Sequence, residues 1–300
     1  MAKLPFNLTR TLKTLREASA DAQESASITL AGDQALVERA PEEFSAGGTI
    51  PAIATREAFS GPSPFATGSG ELLVVFVKPE QQAEVEAFLA RAVGQKSVVL
   101  VVDQGPGTRP RASLTPAGMT RLAFGDSEAG WDRLFSLCAE AAGDKETALG
   151  RRYPVVRRAA ARRLIGKTAI QNAFIALVFF MPGSDMPAMT LNQAKMVLKI
   201  AAMFGQRVDQ ERAVELVAML ALGFGFRGIG RLLVRSVPGL SIIMRMVTAY
   251  VGTIAVGLGA VAYFEKGAPA STSKVIALAG SLTNRSQTKP RPPSARLTAR

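Results

Sequence analysis

The sequence predicts an α/β plus all-α protein: a small parallel α/β module followed by an apolar helical-hairpin domain. Three observations carry this. Between residues 71 and 147 short apolar runs alternate with helical patterns; after Thr147 the alternation stops and long apolar helical stretches take over; a run of arginines lies at the changeover. Strand, helix, strand with uniformly apolar strands is the pattern of parallel strands covered on both faces.

In residues 6 to 20, Asn7 caps a short helix with Leu8, Leu12 and Leu15 on one face and Arg10, Lys13 and Arg16 elsewhere. From Asp21 to Gly70, Gly47, Gly48, Pro51, Gly61, Pro62 and Pro64 interrupt every periodicity, so residues 1–70 read as mostly loop, partly disordered. Leu72 to Val77 reads as a buried strand, Pro79 to Val93 as a helix, Ser97 to Val102 as a second strand, Met119 to Phe124 as a third, and Glu128 to Ala142 as a closing helix. This α/β module, residues 71–147, is short, so its sheet is either small or completed by the N-terminal segment.

Residues 148–266 form the apolar helical domain. Arg151, Arg152, Arg157, Arg158, Arg162, Arg163 and Lys167 place seven positive charges in seventeen residues without an acid, and Thr168 to Ser184 carries no charge. Pro182, Gly183, Asp185 and Pro187 make a hairpin turn, with Asp185 as a cap for the helix after it. Thr190 to Gln193 spells a capping box for a helix that Gly205 stops, and Asp209 caps the next. Gly223, Gly225, Gly228 and Gly230 bend the chain before the most apolar stretch, Leu240 to Phe264. There Ala249, Thr253 and Gly257 recur at i, i+4, i+8, a small-residue ladder suited to close helix packing. Residues 267–300 read as a disordered basic tail.

Composition narrows the chemistry. Thirty-six Lys and Arg against 24 Asp and Glu give +12, yet 48% of residues are hydrophobic. Basicity combined with an apolar composition points to anionic membrane before nucleic acid. With three Tyr and one Trp and no reading motif, no nucleic-acid partner is expected. The chain has no histidine, which removes His-based triads, imidazole shuttles and His-ligated metals. Cys138 falls on the apolar register Trp131, Leu134, Phe135, and reads as a buried hydrophobe. No catalytic, cofactor-binding or metal site is expected, and no cofactor.

Two phosphate-binding patterns fail on context. Gly223, Gly225 and Gly228 match GxGxxG but come after a helical run, whereas a dinucleotide fingerprint must come after a strand. Gly166, Lys167 and Thr168 resemble the end of a phosphate loop, but Ala161 stands where its first glycine belongs and Arg157 to Arg163 reads as helix.

Met246 to Phe264 gives nineteen uncharged residues and Thr168 to Ser184 gives seventeen, against roughly 20 for a bilayer crossing. Between them positive charge is in excess, so clean two-pass spanning conflicts with the positive-inside rule; a hairpin entering from the cytoplasmic side, or a docked bundle, satisfies it. The arginine run then forms a basic collar at the anionic lipid surface, each charge contributing about 1 kcal/mol.

The helical half resembles the YcjF-like family of bacterial membrane-associated domains, often fused behind Era-like GTPase domains. The resemblance is carried by Leu164-Ile165, Thr168-Ala169, Asn172-Ala173, the run Pro182 to Pro187, Gln193, Met196, Ile200, Gly205, Arg231, Pro238-Gly239, Thr253, Gly257 and Tyr263-Phe264. It implies a membrane-associated domain of unknown activity from which no catalytic residue carries over, a protein partner such as a GTPase, and a truncated GTPase-like sheet before it. Where guanine-reading Asn-Lys-x-Asp belongs, Asp103, Gln104 and Gly105 stand instead. The expectation is a membrane-associated, non-enzymatic scaffold or regulatory protein on the cytoplasmic side. The alternatives are a degenerate nucleotide-binding switch and a soluble helical protein that self-associates.

Overall fold

The computed structural model describes residues 26–45, 52–53, 72–92, 97–178, 186–206 and 240–266. In chain order the first half holds β1 (Ile28–Gly32), α1 (Gln34–Ser45), β2 (Ala52–Ile53), β3 (Leu72–Val77), α2 (Gln82–Ala92), β4 (Ser97–Asp103), β5 (Arg111–Leu114), β6 (Thr120–Phe124) and α3 (Glu128–Ala141). The second half holds α4 (Glu146–Arg152), α5 (Pro154–Val178), α6 (Met186–Met203) and α7 (Leu240–Glu265).

One sheet runs β2-β1-β3-β4-β6-β5. All its pairings are parallel except β5 with β6, which a turn at Thr115 to Met119 folds back as a hairpin. The expected parallel sheet is therefore mixed. Every residue of β3 is buried, and successive residues alternate between two cores as the pleat requires. Leu72, Val74 and Phe76 face α1, α3 and the helical half, whereas Leu73, Val75 and Val77 face α2 through Val85 and Leu89.

The sheet is completed from within the segment expected to be loop. Strand β1 pairs with β3 from Ile28↔Leu72 to Gly32↔Phe76, and α1 packs Val37, Ala40 and Phe44 into the larger core despite an internal Pro41. Residues 28–45 are thus integral to the module, because burial on both faces stabilises a stretch whose local propensity is weak. Gly32 is obligatory: its φ is +117°, and a Cβ there would lie 1.9 Å from the Phe76 carbonyl oxygen. The expected helix at residues 6 to 20 lies outside the described residues.

The helical half continues the same core. Tyr153 is wholly buried, and its hydroxyl oxygen accepts the Ile28 amide at 3.2 Å, joining the start of α5 to β1. Helix α6 begins at Met186, so Pro187 lies in its first turn and Thr190 lies inside it, not at its cap. Gly205, at φ +71°, ends it as expected. The predicted turn residues Pro182, Gly183 and Asp185, the cap at Asp209, the glycines from 223 to 230 and the tail lie outside the described residues.

Candidate functional site

Helices α5, α6 and α7 pack against one another. Arg158 pairs with Glu265, Ile165 packs against Gly257, and Asn172 bonds Thr253, so α5 and α7 run antiparallel. Gln193 with Thr253 and Phe204 with Phe264 run α6 parallel to α7. Since Tyr153 anchors the start of α5 to the sheet, the end of α5 and the start of α7 form the sheet-distal end.

Ala249, Thr253 and Gly257 all face inward. A Cβ on Gly257 would stand 2.5 Å from Ile165 Cγ1, which is how closely the two helices approach. Thr253 anchors a buried polar cluster: its Oγ accepts Asn172 Nδ2 at 2.9 Å and Gln193 Nε2 at 3.2 Å, and donates to the Ala249 carbonyl at 2.7 Å. Asn192 Nδ2 donates to Asn172 Oδ1 at 3.2 Å. Three helices are thereby locked in one register by groups that would be costly to bury unpaired. The partnering of this cluster was missed; the detectable signal was Asn172, which with Gln171 forms an amide pair within the uncharged stretch.

Toward the sheet-distal end, α5 and α7 expose large apolar side chains. Ile170 and Phe174 on α5, and Ile243, Val247 and Val251 on α7, keep four-residue spacing and are about half exposed or more, Phe174 at 58% and Ile243 at 64%. Helix α7 is long and apolar enough to cross a bilayer over Ile243–Glu265, and only 33% of its apolar window is buried. Among the described residues it is the one helix of that kind; the uncharged stretch of α5 is described only as far as Val178.

The residues of the expected basic collar run from the end of α4 to the middle of α5, and they differ in their surroundings. Arg157 donates from Nε to the Gly150 carbonyl at 3.0 Å and lies over the Phe204 ring at 4.9 Å. Arg158 is held by Glu265 at 2.8 Å. Arg163 Nε and Lys167 Nζ share the two oxygens of Glu146 at 3.3 and 3.5 Å, and Arg163 also reaches Glu140 at 3.7 Å. Arg151, Arg152 and Arg162 are exposed, with Arg152 near the Tyr153 ring. Burial lifts the Glu146 carboxyl above the ordinary carboxylate range, against the opposing pull of Lys167, Arg163 and Lys199. Glu146 was also missed, because its partners lie well along the chain and meet it only after folding.

Gly166, Lys167 and Thr168 lie within α5, with the Thr168 hydroxyl bonded to the Leu164 carbonyl, so no loop exists there to hold phosphate. At the carboxyl ends of the strands, where open α/β sheets take ligands, β1 passes to α1 through Asp33 alone. Asp33 accepts the Ala35 amide at 3.1 Å and pairs with Lys78 at 3.3 Å. Arg39 of α1 is tied to Asp126, which also accepts the Trp131 indole N–H. Burial pushes the Cys138 thiol up to about 12, far from thiolate reactivity.

No curated protein and no solved structure matches the chain. Residues 142–285 match the family model described as Domain of unknown function (DUF697), a span that takes in α4 to α7 and leaves the sheet outside. The helical half of this protein is accordingly a DUF697-type domain of unknown function.

Proposed function

We propose that the protein is a membrane-associated, non-enzymatic scaffold or regulatory protein whose helical half meets lipid through its sheet-distal end, on the cytoplasmic side. The observation that carries this reading is the apolar outer face of α5 and α7, with Phe174, Ile243 and Val251 turned to solvent. Large exposed apolar patches mark protein or membrane contacts. The exposed Arg151, Arg152 and Arg162 supply charge for anionic headgroups near the sheet. The inward polar cluster is satisfied by its own helices, as hydrocarbon surroundings require.

The finer family reading, a YcjF-like domain working beside a GTPase, belongs to the same proposal and rests on the residue order from Leu164 to Phe264. A nucleotide-binding switch is the competing reading. It finds little support at the strand ends, where Asp33 is engaged by Lys78 and by the start of α1.

Flotation of the full-length protein with phosphatidylglycerol vesicles tests the proposal. Wild type is expected to float, and Phe174→Glu with Val251→Glu to remain at the bottom while keeping the wild-type circular dichroism spectrum. Wild-type protein that stays monodisperse in detergent-free buffer and ignores the vesicles would overturn it.

A further inference from the structure

Among the described residues, Glu146 is the one buried charged side chain of the helical half. It opens α4, its side chain is 5% exposed, and its two oxygens serve two collar cations that stand one turn apart on α5. Lys167 immediately precedes the uncharged stretch that starts at Thr168, so these cations lie where the membrane reading places the water–lipid boundary.

We propose that Glu146 is a proton-operated latch on the lipid-binding charge of the helical half: its carboxylate retains Arg163 and Lys167 against α4, and its protonation releases them to anionic headgroups. The proposal rests on the membrane reading and adds its regulation.

Geometry favours release over collapse. Arg163 and Lys167 are 31% and 39% exposed, so each head can turn outward while its helix stays packed. The Arg163 Nε and Glu146 Oε2 atoms are buried, and neither makes a hydrogen bond, so their 3.3 Å contact is held by charge and not by directed bonding. Neutralising the carboxylate removes that attraction at once.

The charges around Glu146 come from every element packed on it. Arg163 and Lys167 face it from α5 and Lys199 from α6, while Glu140 on α3 reaches the group through Arg163, and Asp144 and Lys145 form the turn just before it. Glu140 is 58% exposed and lies farther from Arg163, so it is the weaker tether when Glu146 is neutral. Burial is the leading influence on Glu146 and favours its neutral form, so a proton is taken up at higher pH than by a surface glutamate. The proton comes from solvent, and the group gains one positive charge.

The test is sedimentation of full-length protein with vesicles of phosphatidylcholine, with and without phosphatidylglycerol, between about pH 7.5 and about pH 5. Phosphatidylglycerol keeps its charge over this range, so the lipid does not titrate. Wild type is expected to bind the anionic vesicles more tightly as pH falls, by about fivefold or more. Glu146→Gln is expected to bind at neutral pH as wild type does in acid, with a flat profile. Glu146→Gln that retains the wild-type affinity and pH slope overturns the latch. Should that variant fold poorly by circular dichroism, Lys167→Gln and Arg163→Gln decide: both must lose part of the acid gain, and an unchanged gain overturns the proposal. Binding that occurs without pH dependence sinks the latch and leaves the membrane reading standing, whereas no binding to either vesicle at any pH sinks both.

Discussion

Gly257 of α7 lies so close to Ile165 of α5 that a Cβ at position 257 would fall 2.5 Å from Ile165 Cγ1. The contact sits between the Arg158–Glu265 ion pair and the Asn172–Thr253 hydrogen bond, so the two helices are held at three levels. Gly257→Val is expected to force them apart and lower unfolding stability by about 1–3 kcal/mol in urea titration. Adding Ile165→Ala should recover part of the loss. A Gly257→Val protein as stable as wild type would show that the helices do not meet here.

Thr253 serves two amide donors at once. Thr253→Val preserves shape and removes the acceptor, leaving the buried Asn172 amide without it, and is expected to cost about 1–3 kcal/mol. Asn172→Leu should cost a similar amount. The double variant should fall short of the sum, since both changes dismantle one cluster. Full additivity in thermal or urea unfolding would count against the network.

The Ile28 amide and the Tyr153 hydroxyl join the sheet to the helical half at 3.2 Å. Tyr153→Phe keeps the ring among Phe44 and its neighbours and removes the acceptor, so it is expected to lower stability by about 1 kcal/mol and to quicken hydrogen exchange at Ile28. Exchange at Ile28 identical to wild type would refute that link.

Glu146 also shapes stability against pH. Its carboxyl binds a proton more readily in the folded protein than in the unfolded chain, so the folded state holds more protons over the interval between the two affinities. The contribution of this group is therefore present below the unfolded value and is lost as pH rises through the raised folded value. Glu146→Gln is expected to flatten that part of the stability profile, measured by urea midpoints at successive pH values. A profile parallel to wild type would mean that Glu146 is not buried in this way.

Nucleotide titration separates the competing functional readings. With Asp33 committed to Lys78 and to the first turn of α1, GTP added to the full-length protein is expected to give no saturable heat. Saturable binding at micromolar concentration would favour a nucleotide switch over a scaffold.

Long or uniformly patterned segments were legible without the fold. Strand β3 and the Val98 to Val102 stretch of β4 are unbroken apolar runs, α3 and α7 are sustained helical patterns, and the glycine at 205 marks its helix end, so these signals are local. The absence of histidine and the concentration of arginine before an uncharged stretch are likewise facts of the chain alone.

Tertiary structure decided the rest. Strand β1 is five residues containing Thr, Ala and Gly, and becomes a strand because β3 offers it a partner and two cores bury it. Strand β5 is exposed along its whole length and lacks any alternation to detect. Helices α5 and α7 are apolar on several faces, so their periodicity does not say which face packs; the fit of Gly257 to Ile165 and of Thr253 to Asn172 selects it and leaves Phe174 and Val251 outside. Which collar cations are engaged was equally invisible, because an ion pair depends on distance in space, and only folding brings Glu146 to Arg163 and Lys167.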